Sequence, residues 1–149
     1  MELPVGLRHV LSETRLHTDD REYVIVSLPL DQLHEGMAAL AQRAEPFSAA
    51  VVDKDELTLV MPGDVWRAAR DELDWEEEAA GYRLITFDVS LGLGLVGYVA
   101  TLSHVVAAAG VSQLVFSAYQ RDHLLVPSED FERAWAALSD FIDACRKQG

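Results

Sequence analysis

Cysteine and basic residues are scarce in this sequence. The 149 residues include a single cysteine, Cys145, and 12 Lys and Arg against 25 Asp and Glu, which gives a formal charge of −13. One cysteine cannot close an intrachain disulfide, so a disulfide-stapled scaffold is excluded. The excess of negative charge repels phosphate backbones and anionic lipid surfaces. We therefore expect neither nucleic acid nor a membrane among the direct partners.

Long apolar runs are also missing. The most apolar stretch, residues 91–111, is interrupted by glycines and by polar residues such as Ser103 and His104, which suits a buried helix better than a membrane span. The N-terminus does not join a basic segment to a long apolar run and a cleavage site. Together with the single cysteine, these features predict a cytoplasmic protein.

The sequence has no cluster of the residue types that commonly catalyse reactions or bind metals. The five histidines show no i, i+4 pairing and no cysteine cluster accompanies them, so we expect no metal site. Ser117 lacks a glycine elbow. Cys145 falls on the apolar stripe of a predicted helix, where burial raises the pKa of a thiol and makes it a poor nucleophile. We expect no catalytic residue and no cofactor.

The first half of the chain reads as strand, helix, strand, strand. Residues 23–28 are rich in β-branched and aromatic side chains and predict a strand. Apolar residues at helical spacing run from Leu33 until Pro46 forbids continuation. Two short apolar runs, 47–52 and 57–60, predict a hairpin.

The second half repeats this order and adds a terminal helix. Its predicted strand, helix, hairpin strands and last helix cover residues 82–89, 95–109, 114–119, 123–126 and 131–145. Gly110 is expected to end the first of these helices, and Ser128 to cap the second. The acid-rich residues 64–80 between the halves read as a connector with a solvated face.

A repeated βαββ order predicts the fold class. Each unit exposes one sheet face that a helix layer must cover, and tight hairpins after each helix favour antiparallel pairing over a doubly wound parallel sheet. We expect an α+β protein of two ferredoxin-like subdomains, residues 1–75 and 76–149, that share a core.

The loop before the second predicted helix carries a glycine motif. Gly92, Gly94 and Gly97 satisfy G-x-G-x-x-G after a predicted strand, as in dinucleotide-binding folds. However, too little chain follows Asp122 to complete such a sheet, and His123 returns at once as an antiparallel strand. The glycines can instead let backbone N–H groups approach a carboxylate at the positive end of the helix.

Asp122 is the natural counterpart of that loop. If it lies nearby, its negative charge can hold an ammonium group while the helix start holds a carboxylate, so that together they bind a zwitterion. The alternative is that Asp122 is an ordinary turn residue and that the glycines only assist packing.

Two segments of the second half resemble a known family. GLVGYVA at 94–100 and VSQLVFSAYQRDHLLVP at 111–127 look like the second half of the tandem ACT proteins related to the CASTOR arginine sensors. Residues 47–48 and 55–60 are similar to the first half of that family, so the resemblance covers roughly residues 20–140.

This resemblance implies two ACT subdomains that bind an amino acid at an interface between ACT units. The residues implied to contact the ligand are those of the loop, two pocket residues and one acid: Gly94, Leu95, Val96, Gly97, Ala118, Tyr119 and Asp122. Relatives often carry a serine or threonine in the loop where this chain has Gly94 and Val96.

The sequence thus predicts a small-molecule binding regulatory protein without catalytic activity. Its expected ligand is an amino acid, and we expect a homodimer, because a second copy can cover the exposed edges of so small a unit. Its downstream protein partner is not indicated. A structural interaction domain that has kept the fold and lost the pocket is the main alternative, and an enzyme with a nucleotide on the glycine turn is the third.

Overall fold

A computed structural model of the chain describes residues 2–148. Its contacts divide the chain into two units. The central unit comprises Asp20–Tyr82, and the split unit comprises the residues up to Asp19 together with those from Arg83 onward. The predicted division into subdomains at residues 75 and 76 stays a prediction.

Five helices and seven strands make up the described chain, with three short 3-10 turns between them. The helices are α1 Val5–Glu13, α2 Leu33–Gln42, α3 Gly63–Ala69, α4 Tyr98–Ala108 and α5 Phe131–Gln148. The strands are β1 Arg15–His17, β2 Tyr23–Pro29, β3 Ala49–Val52, β4 Glu56–Pro62, β5 Glu77–Asp88, β6 Leu114–Ser117 and β7 Asp122–Pro127. Among residues 2–148, no helix is both long enough and apolar enough to cross a membrane.

The central unit has the order β2, α2, β3, β4, α3 and the first part of β5. Its strands lie in the order β3, β4, β2, β5, and each neighbouring pair is antiparallel. The core consists of alternate residues of β2 and β4 packed against both helices: Val24, Val26, Leu28, Leu40, Leu57, Leu59, Met61, Val65 and Trp66. The predicted strand, helix and hairpin of this half are confirmed within a few residues at their ends.

The predicted connector at 64–80 is wrong. Helix α3 begins at Gly63, and β5 already begins at Glu77. The acids of this segment concealed the apolar face of α3, because Val65 and Trp66 are buried while the acids around them face outward. Glu78 also accepts hydrogen bonds from the Trp66 indole and the Arg70 guanidinium, and these lower its pKa.

The split unit joins the first residues of the chain to its second half. Strand β1 pairs antiparallel with the end of β5, with Leu16 opposite Phe87, and β7 lies between β5 and β6. The antiparallel β6–β7 pair confirms the second hairpin. Helices α1, α4 and α5 supply the rest of the core, whose most buried members are Leu11, Ile85, Phe87, Leu102, Val106, Leu124, Val126, Ala134 and Leu138.

Two helix ends of the split unit test the predictions, and one of them differs. Gly110 follows α4 with φ 76°, which confirms the expected stop. Ser128, in contrast, does not cap α5. A 3-10 turn over Ser128–Asp130 precedes that helix, and within the described chain the buried Ser128 hydroxyl has no hydrogen-bond partner. The predicted capping role of Ser128 is therefore wrong.

A buried hydrogen bond links the N-terminal segment to the start of α4. The Thr14 hydroxyl lies 2.7 Å from the Tyr98 hydroxyl and 2.9 Å from the Val10 carbonyl. Because Thr14 has one hydroxyl hydrogen, and the Val10 carbonyl can only accept it, Tyr98 donates to Thr14. Burial raises the pKa of Tyr98 to about 12, so the phenol keeps this proton.

We expect Thr14→Val to lower the free energy of unfolding by about 1–3 kcal/mol, because it leaves the buried Tyr98 hydroxyl without an acceptor. Urea denaturation of Thr14→Val, Tyr98→Phe and the double variant measures this. The double variant is expected to lose less than the sum of the single losses, since it leaves no unpaired phenol. Strict additivity would contradict a direct bond between the two hydroxyls.

Candidate ligand-binding site

A cavity of about 330 Å³ opens in the split unit beside the N-terminal end of α4. Its walls come from the loop that follows β5, from the first turn of α4 and from the turn between β6 and β7. The lining residues are Leu91, Gly92, Leu93, Leu95, Gly97, Tyr98, Val99, Ala100, Ser117, Ala118, Tyr119, Gln120, Arg121 and Asp122.

Hydrogen bonds hold the two walls of the cavity together. The Leu91 amide donates to the Gln120 carbonyl at 2.8 Å, and the Arg121 Nε donates to Asp88 Oδ1 at 3.0 Å. The turn is closed by the Ala118 amide, which donates to the Arg121 carbonyl at 2.8 Å. The loop and the turn are thus positioned relative to each other before any ligand is bound.

The first turn of α4 presents backbone donors to the cavity. Gly97 is its N-cap, with φ 92° and ψ 0°, and no side chain caps this end. The first helical hydrogen bond runs from the Thr101 amide to the Gly97 carbonyl at 3.0 Å. The amides of Tyr98, Val99 and Ala100 precede that bond and have no acceptor within the helix, which makes this end favourable for an anion.

Gly97 is required at this N-cap for two reasons. Its positive φ is one that L residues rarely adopt, and a Cβ there would lie 3.3 Å from Leu7 Cδ2. Glycine therefore lets the chain turn into α4 while α1 packs against it.

Asp122 supplies the negative charge of the cavity. It is the first residue of β7, lies opposite Ser117, and is only 8% exposed. No donor among residues 2–148 makes a hydrogen bond to its carboxylate. This carboxylate lines the cavity and is therefore available to a cation that enters it.

Two neighbours of Asp122, His123 and Tyr98, are uncharged near neutral pH. The Thr86 hydroxyl lies 2.9 Å from Nδ1 of His123, and burial lowers the pKa of His123, an effect that Asp122 partly opposes. Burial keeps Tyr98 neutral. Among the described lining residues, Asp122 and Arg121 therefore carry the charge, and Arg121 is paired with Asp88.

Five of the seven residues predicted to contact a ligand line this cavity: Leu95, Gly97, Ala118, Tyr119 and Asp122. Gly94 and Val96 belong to the same loop but are not among the lining residues, and Val96 is 83% exposed. The ligand role of all seven stays a prediction. The sequence reasoning missed Tyr98, Val99 and Ala100, because it began the helix near Leu95 rather than at Tyr98.

Other candidate centres receive no support within the described chain. Residues 2–148 hold no group of three or more His, Cys, Asp or Glu placed to bind a metal ion. Cys145 is a buried free thiol whose pKa is raised by burial, as the apolar stripe predicted.

Comparison with known families adds to this geometry. Residues 77–140 match the ACT domain family. The match runs from the start of β5 into α5 and includes the whole wall of the cavity. Among curated proteins, none matches the sequence significantly.

Solved structures extend the likeness over most of the chain. A Vibrio cholerae protein of unknown function, described as a possible transport protein, has a TM-score of 0.68 and 26% identity, and the match covers 90% of this chain and 94% of that one. The ligand-free regulatory subunit of Thermus thermophilus aspartate kinase has a TM-score of 0.62 and 15% identity, with 84% and 95% covered. Clostridium acetobutylicum aspartate kinase has a TM-score of 0.69 and 12% identity, with 90% of this chain and 34% of the kinase covered. The chain has an ACT-like, ferredoxin-type α+β fold, which confirms the fold class that the repeat and the resemblance predicted.

Proposed function

We propose that this protein is a regulatory ACT protein without catalytic activity, and that the cavity beside α4 binds an α-amino acid. The observation that carries the proposal is Asp122, a buried carboxylate that lines the cavity and has no donor among residues 2–148. Such a group favours a cationic partner, and a primary ammonium is a cation small enough for this cavity.

The start of α4, which also lines the cavity, suits the other end of an amino acid. The amides of Tyr98, Val99 and Ala100 and the positive end of the α4 dipole favour a carboxylate. A zwitterion whose ammonium meets Asp122 and whose carboxylate meets the helix start uses both features at once. A simple anion would be opposed by Asp122, and a simple cation would leave the helix start unused.

The comparisons support a regulatory role more than an enzymatic one. The Thermus protein is named a regulatory subunit of aspartate kinase. At 15% identity, this similarity shows a shared fold and not a shared function. The proposed relation to the CASTOR arginine sensors rests on the sequence resemblance alone and stays a prediction, as does a cytoplasmic location.

We also propose that the protein forms a homodimer. Leu93 and Tyr119 line the cavity but are 74% and 76% exposed, and the neighbouring Val96 is exposed as well. Large apolar side chains grouped at one place on a surface favour coverage by another protein surface. A second copy is the partner that is always present at matched concentration.

Thermal unfolding with each of the twenty amino acids tests the proposed function. We expect at least one of them to raise the unfolding temperature in a concentration-dependent way, because a ligand that binds only the native state stabilises it by about 2.7 kcal/mol at 100 times its Kd. N-acetylated and amidated forms of the same compound should fail, since they lack one of the two charges. If no free amino acid shifts the transition, the protein is better described as an interaction domain that has kept the ACT fold without its ligand.

A further inference from the structure

Several apolar residues line the cavity together with the helix start and Asp122. Leu91, Leu93, Leu95, Val99 and Ala118 all line it. They come from three different segments, the loop after β5, the first turn of α4 and the β6–β7 turn, so an apolar group placed between them meets hydrocarbon on several sides.

A charged ligand side chain would find no free counter-charge here. Apart from Asp122, the charged lining residue of the described chain is Arg121, and its Nε is bound to Asp88 at 3.0 Å. A cationic side chain would face this guanidinium, whereas an anionic one would compete with Asp88 for it. With Asp122 occupied by the ligand ammonium, a cationic side chain has no counter-charge, and an anionic one has only a guanidinium that is already paired with Asp88.

The size of the cavity sets a further bound. At about 330 Å³ it lies at the lower end of the usual range for ligand sites, roughly 300–1,000 Å³. That space suits one small zwitterion with a short side chain.

We infer that this cavity selects α-amino acids with an uncharged, aliphatic side chain over those with a charged one. The inference rests on the proposed function, because it assumes that Asp122 and the helix start hold the two charged ends. Leu93 is the residue expected to determine the preference, because it is a large apolar side chain at the rim of the cavity.

Isothermal titration of the whole chain with L-leucine, L-norvaline, L-alanine, L-serine, L-glutamine, L-aspartate, L-lysine and L-arginine tests this. We expect L-leucine or L-norvaline to bind at least tenfold more tightly than any charged amino acid. L-Arginine is an essential competitor, because the sequence resembles the second half of arginine sensors. Serine and glutamine report whether Ser117 and Gln120, which also line the cavity, select a polar side chain instead.

A second experiment repeats the titration with two matched variants, Leu93→Ser and Val96→Ser. Both replace an exposed apolar residue of one loop, but only Leu93 lines the cavity. Leu93→Ser should lower the affinity for L-leucine severalfold and change the affinity for L-alanine little. Val96→Ser should change neither affinity.

The outcomes separate the two proposals. Binding of L-arginine, L-lysine, L-aspartate, L-serine or L-glutamine as tightly as L-leucine, with loss in Asp122→Asn, overturns the inference and leaves the proposed function standing. Equal effects of Leu93→Ser and Val96→Ser also overturn it. Failure of all these amino acids to bind overturns the proposed function itself.

Discussion

Replacing Asp122 with asparagine is expected to abolish most of the affinity for an α-amino acid. The amide keeps the shape of the carboxylate but removes the charge that faces the ligand ammonium. Loss of one partner of a buried charged pair costs about 2–5 kcal/mol, which corresponds to a rise in Kd of roughly 30- to 4,000-fold. Titration with the amino acid that gives the largest thermal shift measures this loss.

The same variant distinguishes a binding role from a structural one. Asp122 accepts no hydrogen bond from residues 2–148, so its replacement removes no internal bond. We expect the unfolding temperature of ligand-free Asp122→Asn not to fall. Asp140→Asn makes the same change of charge at an exposed position of α5 and should bind as the parent does. A loss of stability in Asp122→Asn with unchanged affinity would show that the carboxylate supports the fold instead.

Phe87→Ala is expected to cause the largest loss of stability. Phe87 is fully buried in β5, opposite Leu16 of β1, and its ring meets that of Tyr98 edge-on at a centroid distance of 6.0 Å. Truncation of a buried phenylalanine removes apolar surface that folding had buried, and it leaves a cavity. Together these effects lower the free energy of unfolding by about 3–5 kcal/mol. Urea denaturation followed by far-ultraviolet circular dichroism measures the change.

The control for this variant is Phe87→Leu, which keeps most of the apolar volume and removes the edge-on ring contact. We expect it to lose less than half as much stability as Phe87→Ala. Because Tyr98 opens α4, Phe87→Ala should also weaken amino-acid binding, through displacement of the first helical turn. A loss below about 1 kcal/mol in Phe87→Ala would mean that the core relaxes around the gap.

The local parts of the fold were predictable from sequence. Strand β2 and both hairpins combine apolar or β-branched runs with short polar turns, and these signals involve residues that are close in the chain. Gly110 marks the end of α4 because its positive φ is a local requirement. Such elements depend little on what the rest of the molecule does.

The elements that the sequence did not predict, β1, α1 and α3, depend on contacts with distant parts of the chain or lack local signals. Strand β1 has three residues and is stabilised as a strand by β5, some seventy positions away, so its own sequence shows no pattern. Helix α1 begins after Pro4 with no side-chain cap and no acid in its first turn. Helix α3 is short, and the burial of Trp66 depends on β2 and β4 rather than on any periodicity of its own.

The sequence identified the two main features of the candidate site, but not the residue at which the neighbouring helix begins. Asp122 and the glycine loop were both identified, and Asp122 lines the cavity with Gly97. The helix start that lines the cavity lies about one turn further along the chain than expected, because the loop stays irregular up to Gly97 and α4 starts at Tyr98. The apolar residues Leu95 and Val96 continue the helical spacing of α4, so periodicity alone could not locate the helix start.

The split unit has a practical consequence for work on this domain. A fragment cut to residues 77–140, the stretch that matches the ACT family, lacks α1 and β1. It would expose the surfaces that Leu7 and Leu11 cover and would leave one side of β5 unpaired beside the cavity. A shortened version of this protein should therefore retain residues 2–19, since the split unit is assembled from two separate segments of the chain rather than from one uninterrupted segment.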